Sequence, residues 1–568
     1  MSDTNAYTQP LNSNVAMLSK LETEAEIRFT GAVYTPYPIA KALVAKALPL
    51  CEVKNLKILE PSVGDGSFIE ALLEHEMCFD NITAVDIDDV VIQKLSKFYR
   101  KEKSTSLSFV SSDFLDFVSA NNNADYDLII GNPPFIRKHN FSKNFKEKLV
   151  DLSKEANYNL KYMQNAWAAF VVASEMLLAA KGILALVLPY ELINVGYGKK
   201  LISEIFSRFE QVDIYVPDEK AFKSIDQDAV IVIAQKKNRG AKGIRICRAT
   251  DLENLDAISQ HKLETHSSND MSLELVSFLL PRKTTSSLKE IRENFQKIGD
   301  FCTSAPGLVT AANDFFILTE NDTRKYGLSN WVKPVLKKGS YLTKRPIFSQ
   351  EEMCDLSAKN LPTNFLYFDP VDSVSKDANA QKYIEYGESL GINKRYKCRQ
   401  RQDWYKVPLG KIAEGFFFKR SFYYPRLCIN EAKVLTTDTA YGISCFENYS
   451  MKGLCFSFYN SITQLFAEID GRFYGGGVLE LTPKEFRGLP VLYHEPSKEE
   501  FDAFLAVHDA SEDISKSLLD FGDQWLSENS SFTAKDMNMY RQAWDTLRRH
   551  RLRHSRNAVP TGPNNGQL

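Results

Sequence analysis

The chain has 568 residues, 44% of them hydrophobic, with 70 Lys and Arg against 72 Asp and Glu and a formal charge of −2. That length suits two or three domains with large cores, and the near-neutral total confines any nucleic-acid footprint to a local basic surface. Nine cysteines without a CxxC pair or a Cys/His cluster exclude a zinc reading, so no metal is expected and a reducing compartment is.

Residues 1–27 read as a loose, polar arm without the apolar run of a signal peptide. The apolar stretch from Ala166 to Leu188 is interrupted by Ser174, Glu175 and Lys181-Gly182, which predicts a buried helix and strand and not a membrane span. A cytoplasmic protein is expected. From 28 to 240, short β-rich runs (LKILE, ITAVDI, YDLIIGN, ILALVLP, AVIVIAQ) alternate with helical stretches. This is the pattern of an α/β domain with a doubly wound, mostly parallel sheet, whose ligands bind at the carboxyl ends of the strands. A polar connector is expected over 241–281, and an α+β second domain over 282–500. A helical segment with a basic, partly disordered tail is expected over 501–568. No internal repeat is visible.

The first strand runs into ILEPSVGDGSFIEALL, where Glu60-Pro61 close the strand and Gly64 and Gly66 allow a tight turn. Carboxylates at Glu60 and Asp65 suit a ligand that is cationic and carries an amine, as S-adenosylmethionine does. The next strand ends in Val85-Asp86-Ile87-Asp88, 20 residues beyond Gly66. Asp86 stands where an acidic residue accepts ribose hydroxyls, and Asp88 fits better as the N-cap of the following helix. After a third strand, Asp113 is placed to meet the adenine amine of such a cofactor, with Phe114 against its ring; a solvated loop is the plain alternative.

The segment YDLIIGNPPFIRK ends a fourth strand in Asn132-Pro133-Pro134-Phe135. The two prolines remove backbone donors and present acceptors. An aromatic amine needs that arrangement, because its lone pair is delocalised into the ring. The Asn132 side chain and the Pro133 carbonyl can accept the two amine hydrogens and stabilise the charge that develops during transfer. Phe135 can stack on a flipped base.

In these residues and their order, the chain resembles the gamma class of DNA adenine-N6 methyltransferases, the TaqI-like group of restriction–modification systems. GAVYTPYPIAKALV (31–44) resembles that family's first cofactor motif, with Thr35 at the matching place. LALVLPYELI resembles a later strand motif, and KAFKSIDQDAVIVIAQ resembles the segment supplying a second base-stacking aromatic, here Phe222. The match is specific over about 28 to 240 and looser to about 495. It implies a Rossmann-like methyltransferase domain and a target-recognition domain, S-adenosylmethionine as cofactor, base flipping in double-stranded DNA, and a separately encoded restriction endonuclease as partner. Two departures stand out: Phe135 replaces the family's usual Tyr, and Ser62-Val63 precede Gly64 where a glycine is usual.

Residues 391–430 hold ten Lys and Arg against two acidic residues, with nine aromatics. Lys394, Arg395, Lys397, Arg399, Arg401, Lys419 and Arg420 are the candidate DNA contacts. Lys333, Lys337 and Lys338 are candidates for further phosphate contacts. The run Arg548 to Arg553 reads equally as a DNA contact or a solvated helix end. Cytosine C5 chemistry is disfavoured because no cysteine follows a proline. RNA or protein methylation, or an inactive DNA-binding homologue, are the rival readings. Pro217-Asp218 has no nuclease partner motif.

Overall fold

A computed structural model describes residues 34–53, 55–75, 79–100, 106–159, 163–194, 204, 206–218, 228–237, 243–255, 275–343, 345–368, 374–473, 476–510 and 513–553. The chain divides into two units, residues 1–282 and 283–568. The arm and the residues after 553 lie outside the described residues, as does most of the expected connector.

The first unit is built on eight strands: β1 (Leu56–Glu60), β2 (Phe79–Asp86), β3 (Ser106–Ser111), β4 (Tyr126–Gly131), β5 (Leu178–Pro189), β6 (Gln211–Pro217), β7 (Ala229–Gln235) and β8 (Gly243–Ala249). Their order is β3-β2-β1-β4-β5-β7-β6-β8. β7 runs antiparallel between β5 and β6, and every other pairing is parallel. β8 occupies a stretch expected to be connector. Its alternating polar and apolar residues, GIRICRA, let it close the sheet edge, where Arg245 pairs with Asp213 of β6.

The helices are α1 (Tyr37–Ala47), α2 (Ser67–Leu73), α3 (Asp89–Tyr99), α4 (Phe114–Ala120), α5 (Lys143–Glu155) and α6 (Ala166–Leu177). Ile39, Leu43, Phe68, Leu72, Ile92 and Leu95 pack in one cluster with Ile58, Ile82, Ile130 and Ile183 of the strands. The alternate strand residues Leu59, Ile129, Leu184 and Leu186 are equally buried, so both faces of the sheet are covered. This explains why the strands read as unbroken apolar runs. Because β1 and β4 are neighbours while their connections leave in opposite directions, the topological switch point lies between their carboxyl ends.

The second unit holds a five-stranded sheet, β10-β12-β11-β13-β9. Its strands are β9 (Cys302–Pro306), β10 (Ile347–Phe348), β11 (Gly415–Phe418), β12 (Leu427–Asn430) and β13 (Ala440–Cys445). Much of the aromatic content of 391–430 is core here: Phe416, Phe417 and Phe418 are all buried. Helices α7 (Ser461–Asp470), α8 (Ile514–Asn529) and α9 (Ala534–Leu552) pack together in the same unit, so the C-terminal helices are part of this fold. Among the described residues, no helix is long and apolar enough to cross a membrane.

The basic end of α9 is partly folded into the second unit, with Arg549 exposed. Arg551 is fully buried; its guanidinium donates to Glu468 of α7 at 2.8 and 2.7 Å, to the Phe422 carbonyl at 2.7 Å, and to the Gly477 carbonyl. Arg548 donates to the Tyr423 carbonyl at 3.0 Å, and Arg549 pairs with Asp545. A buried charge stripped of its partner costs about 3–5 kcal/mol. Arg551→Ala or Glu468→Gln is therefore expected to destabilise the second unit by about that amount in urea unfolding. The double variant should lose less than the sum of the two.

Candidate active site

The ends of β1, β2 and β4 and the turn after β3 bring the expected cofactor and catalytic residues to one edge of the sheet. The turn after β1 is held in shape by Gly64 and Gly66 at φ +51° and +86°, a region other residues rarely adopt. Asp86 organises this turn: its carboxylate accepts the Gly64 N–H at 2.9 Å and the Asp88 N–H at 3.0 Å. Asp65 accepts the Ser67 hydroxyl at 2.7 Å at the start of α2. Asp88 caps α3 through the N–H groups of Val90 and Val91, as its position suggested.

Glu60 is 0% exposed, and neither of its carboxylate oxygens has a hydrogen-bond partner. Burial raises its pKa well above the usual range, and the like charges of Asp65 and Asp86 raise it further. Burial raises Asp65 and Asp86 as well. Among the described residues none of the three forms an ion pair. Thr35, just ahead of α1, is also buried with an unpartnered hydroxyl. An orphaned carboxylate and hydroxyl beside two further acids fit a ligand that brings a positive charge and N–H or O–H donors. Native structures seldom leave such groups unsatisfied without a reason. Ile87, 73% exposed beside Asp86, adds an apolar surface at the same edge.

Two expected cofactor contacts are already engaged. Asp113 caps α4 by accepting the Leu115 N–H at 2.9 Å and pairs with Lys148 of α5 at 3.0 Å, so only its remaining lone pairs are open to an amine. Phe114 is 3% exposed and stacked on Phe170 of α6 at 4.8 Å. Little of the Phe114 ring is therefore open to a ligand in this structure. Ile87 offers the broader face.

The loop Asn132-Pro133-Pro134-Phe135 is fastened at both ends. The Asn132 carbonyl accepts the Ser62 hydroxyl at 2.9 Å, which ties it to the turn after β1. Beyond Phe135, the Ile136 carbonyl accepts the Ala166 N–H at 2.8 Å, and Lys138 N–H donates to the Gln164 carbonyl at 2.9 Å. Asn132 and Pro134 are half-buried; Phe135 is 8% exposed, so stacking on a base requires its neighbours to draw back. Phe222 lies outside the described residues. Reading the sequence missed Ser62 and Lys148. Ser62 stood in view as the residue replacing the usual glycine, whereas no local pattern links Lys148 to Asp113.

In the second unit the basic stretch is only partly available. Arg401 donates to the carbonyls of Val309 at 2.8 Å, Thr310 at 2.9 Å and Trp404 at 3.2 Å, so it holds loops together and its reading as a DNA contact is corrected. Arg420 pairs with Glu480 at 2.6 Å, Lys337 with Asp314 at 2.9 Å, and Arg395 donates to the Ala311 carbonyl at 3.1 Å. Lys333 lies over the Tyr367 ring, and Lys338 is exposed. Lys394, Lys397 and Arg399 are exposed around a one-turn helix at Tyr396–Arg399, with Tyr396 68% exposed and Cys398 anchored in the core. Lys419 is half-buried.

The sheet order and the acidic strand ends define an S-adenosylmethionine-dependent methyltransferase. Two family models match this chain: "Eco57I restriction-modification methylase" over residues 65–222, and "Type II methyltransferase M.Eco57I, C-terminal domain" over residues 273–524. The chain is 24% identical to the Type II methyltransferase M.AccI of Acinetobacter calcoaceticus, over 80% of this chain and 83% of the relative. It is 22% identical to the Type II methyltransferase M.XamI of Xanthomonas campestris pv. amaranthicola, over 83% and 86%. The solved structure of the type IIG restriction endonuclease BpuSI aligns over 93% of this chain and 67% of that one, at 13% identity and a TM-score of 0.39. The chain belongs to the restriction–modification DNA methyltransferases.

Each raised carboxylate favours the folded state at low pH, and that contribution is lost as pH rises through its folded pKa. A cationic cofactor lowers those values and so expels protons on binding. S-adenosylmethionine affinity is therefore expected to rise with pH between the ordinary carboxylate range and the raised folded values. Glu60→Gln should raise the Tm of the cofactor-free protein at neutral pH. It should also weaken cofactor binding about 10- to 100-fold, the loss of a hydrogen bond to a charged group, and flatten the pH dependence. Calorimetry in buffers of different ionisation enthalpy reads all three. A flat wild-type affinity over that window would remove the proposed role for the cluster.

Proposed function

We propose that the enzyme methylates the N6 amine of adenine in double-stranded DNA, at a defined site, on a base turned out of the helix. The observation that carries this reading is the loop Asn132-Pro133-Pro134-Phe135, fastened to the turn after β1 through Ser62 beside the buried acids. The bound S-adenosylmethionine supplies an electrophilic methyl on sulfur. Thr35, Glu60 and Asp86 hold it, together with the turn from Pro61 to Gly66; Ile87 lines its base and Asp113 takes its amine.

The chain's remaining task is to position and polarise the acceptor. The Asn132 side chain and the Pro133 carbonyl accept the N6 hydrogens, which localises the lone pair and stabilises positive charge as it develops. Pro134 stiffens the loop. Phe135 stacks on the base, with Phe222 as its partner; a phenyl ring provides stacking without the hydroxyl usual in this class. A base inside a duplex is out of reach of such a pocket, which supports base flipping. The second unit reads the site, with Lys394, Lys397 and Arg399 on phosphate. Membership of the restriction–modification family also supports a cognate nuclease encoded separately.

Unmethylated genomic DNA incubated with the enzyme and cofactor is expected to acquire N6-methyladenine in one short motif. Long-read sequencing maps it, and Asn132→Ala should leave the DNA unmarked. Methyl groups on cytosine, or none on DNA despite cofactor binding, would refute the adenine assignment.

Replacing Lys394, Lys397 and Arg399 by Ala should reduce the slope of log affinity against log salt by about 2–3, since each phosphate contact contributes about 0.9. An unchanged slope would remove this patch from the interface.

A further inference from the structure

The nine aromatics of residues 391–430 divide unequally between core and surface. Eight of them meet another ring, as Trp404 meets Phe315 at 5.5 Å and Phe417 meets Phe486 at 4.2 Å. Tyr396 is the exception. It is 68% exposed, with no ring neighbour and no hydrogen bond to its hydroxyl among the described residues. Single exposed rings are common on folded proteins. This one is set apart by what holds it and what surrounds it.

Tyr396–Arg399 is a single helical turn, in which residues two apart point to opposite sides. Cys398 is fully buried, its thiol directed at the Thr310 carbonyl at 3.9 Å, so Tyr396 is turned outward. Arg395 donates to the Ala311 carbonyl at 3.1 Å, and Arg401 to the carbonyls of Val309 and Thr310. The turn is thereby fastened to one loop from both ends. Lys397 and Arg399 leave it about 100° to one side of Tyr396 and about 60° to the other, and Lys394 stands just ahead of it. All three cations are exposed, and none forms an ion pair among the described residues. The ring therefore projects from a fixed support with a free cation on either side.

We propose that Tyr396 is a wedge that inserts between two adjacent base pairs of duplex DNA while Lys394, Lys397 and Arg399 hold the phosphates beside it. This rests on the DNA reading above, in which the three cations meet phosphate. A polyanion complements the cations but offers nothing to an apolar ring. Base faces do, once a step of the stack is opened to admit it. The wedge ties recognition to how readily the contacted step unstacks, which favours a flexible pyrimidine–purine step beneath it.

The test uses the full chain as wild type, Tyr396→Phe and Tyr396→Ala, with a duplex and a closed plasmid carrying its methylation motif. The ring is exposed and unpartnered, so both variants should keep the wild-type Tm and cofactor affinity. Tyr396→Ala should weaken duplex affinity about 5- to 150-fold, the loss of one base–aromatic stack, and leave the slope of log affinity against log salt unchanged. Tyr396→Phe should bind as wild type does. Relaxing the plasmid with a topoisomerase under saturating protein reads the insertion itself, because a wedged step is untwisted. Wild type and Tyr396→Phe should unwind the plasmid equally, and Tyr396→Ala less. A Tyr396→Ala that binds or unwinds as wild type does overturns the wedge. So does a lower salt slope in Tyr396→Ala, which would make the ring a support for the cations, or a loss in Tyr396→Phe, which would assign the contact to the hydroxyl. A fall in Tm would make the ring structural and overturn it too. A wild type that binds no duplex overturns the DNA reading itself, and the wedge with it.

Discussion

A cluster of buried carboxyl groups with no positive charge to meet it sets the terms for this fold. Glu60, Asp65 and Asp86 converge where β1 and β2 end, and each is pushed toward its neutral form by burial. A carboxylate stripped of water and left without a partner opposes folding unless something else holds it in place. Here the covered eight-stranded sheet does that. β1 lies between β2 and β4, with Ile58 and Leu59 fully buried on its two faces, so Glu60 cannot swing into solvent without disturbing the centre of the sheet. The strain is local, and the support is spread over the whole unit. A ligand that is cationic and rich in donors relieves it, and the cost already met in the free protein becomes affinity.

The second unit treats charge the opposite way. Several of its cations are engaged internally: Arg551 by Glu468, Arg420 by Glu480 and Lys337 by Asp314 in ion pairs, and Arg401 by hydrogen bonds to three carbonyls. This reconciles a formal charge of −2 with a surface for a polyanion. Under the proposed function, the three exposed cations Lys394, Lys397 and Arg399 limit the electrostatic, sequence-independent share of binding, which leaves base-edge contacts to decide the site.

These two patterns explain what could be read from the sequence and what could not. Strand ends carrying Glu60, Asp86 and Asn132 were legible because a parallel strand covered on both faces is an unbroken apolar run, and the first polar residue after it must lie at the ligand edge. Asp88 as a helix cap was legible because capping is local. Asp113 was half legible: its place after β3 shows in the sequence, but its pairing with Lys148 spans 35 residues and obeys no spacing rule. The stacking of Phe114 on Phe170 was hidden for the same reason, since Phe170 comes from another helix. β8 was hidden by its half-polar composition, which an edge strand tolerates and a central one does not. Basic runs were the least legible, because a cation bound to a buried Glu and one waiting for phosphate look identical in sequence.

Asn165 and Glu60 then belong to one argument. Each keeps a buried side-chain oxygen without a hydrogen-bond partner, Glu60 at the end of β1 and Asn165 just ahead of α6. Hydrogen bonds within the protein can satisfy such groups cheaply, as Ser67 does for Asp65 and Lys148 does for Asp113. An enzyme that must choose one base among many gains from buried groups held in place before binding, because such a site penalises every base that cannot supply the matching donors and acceptors.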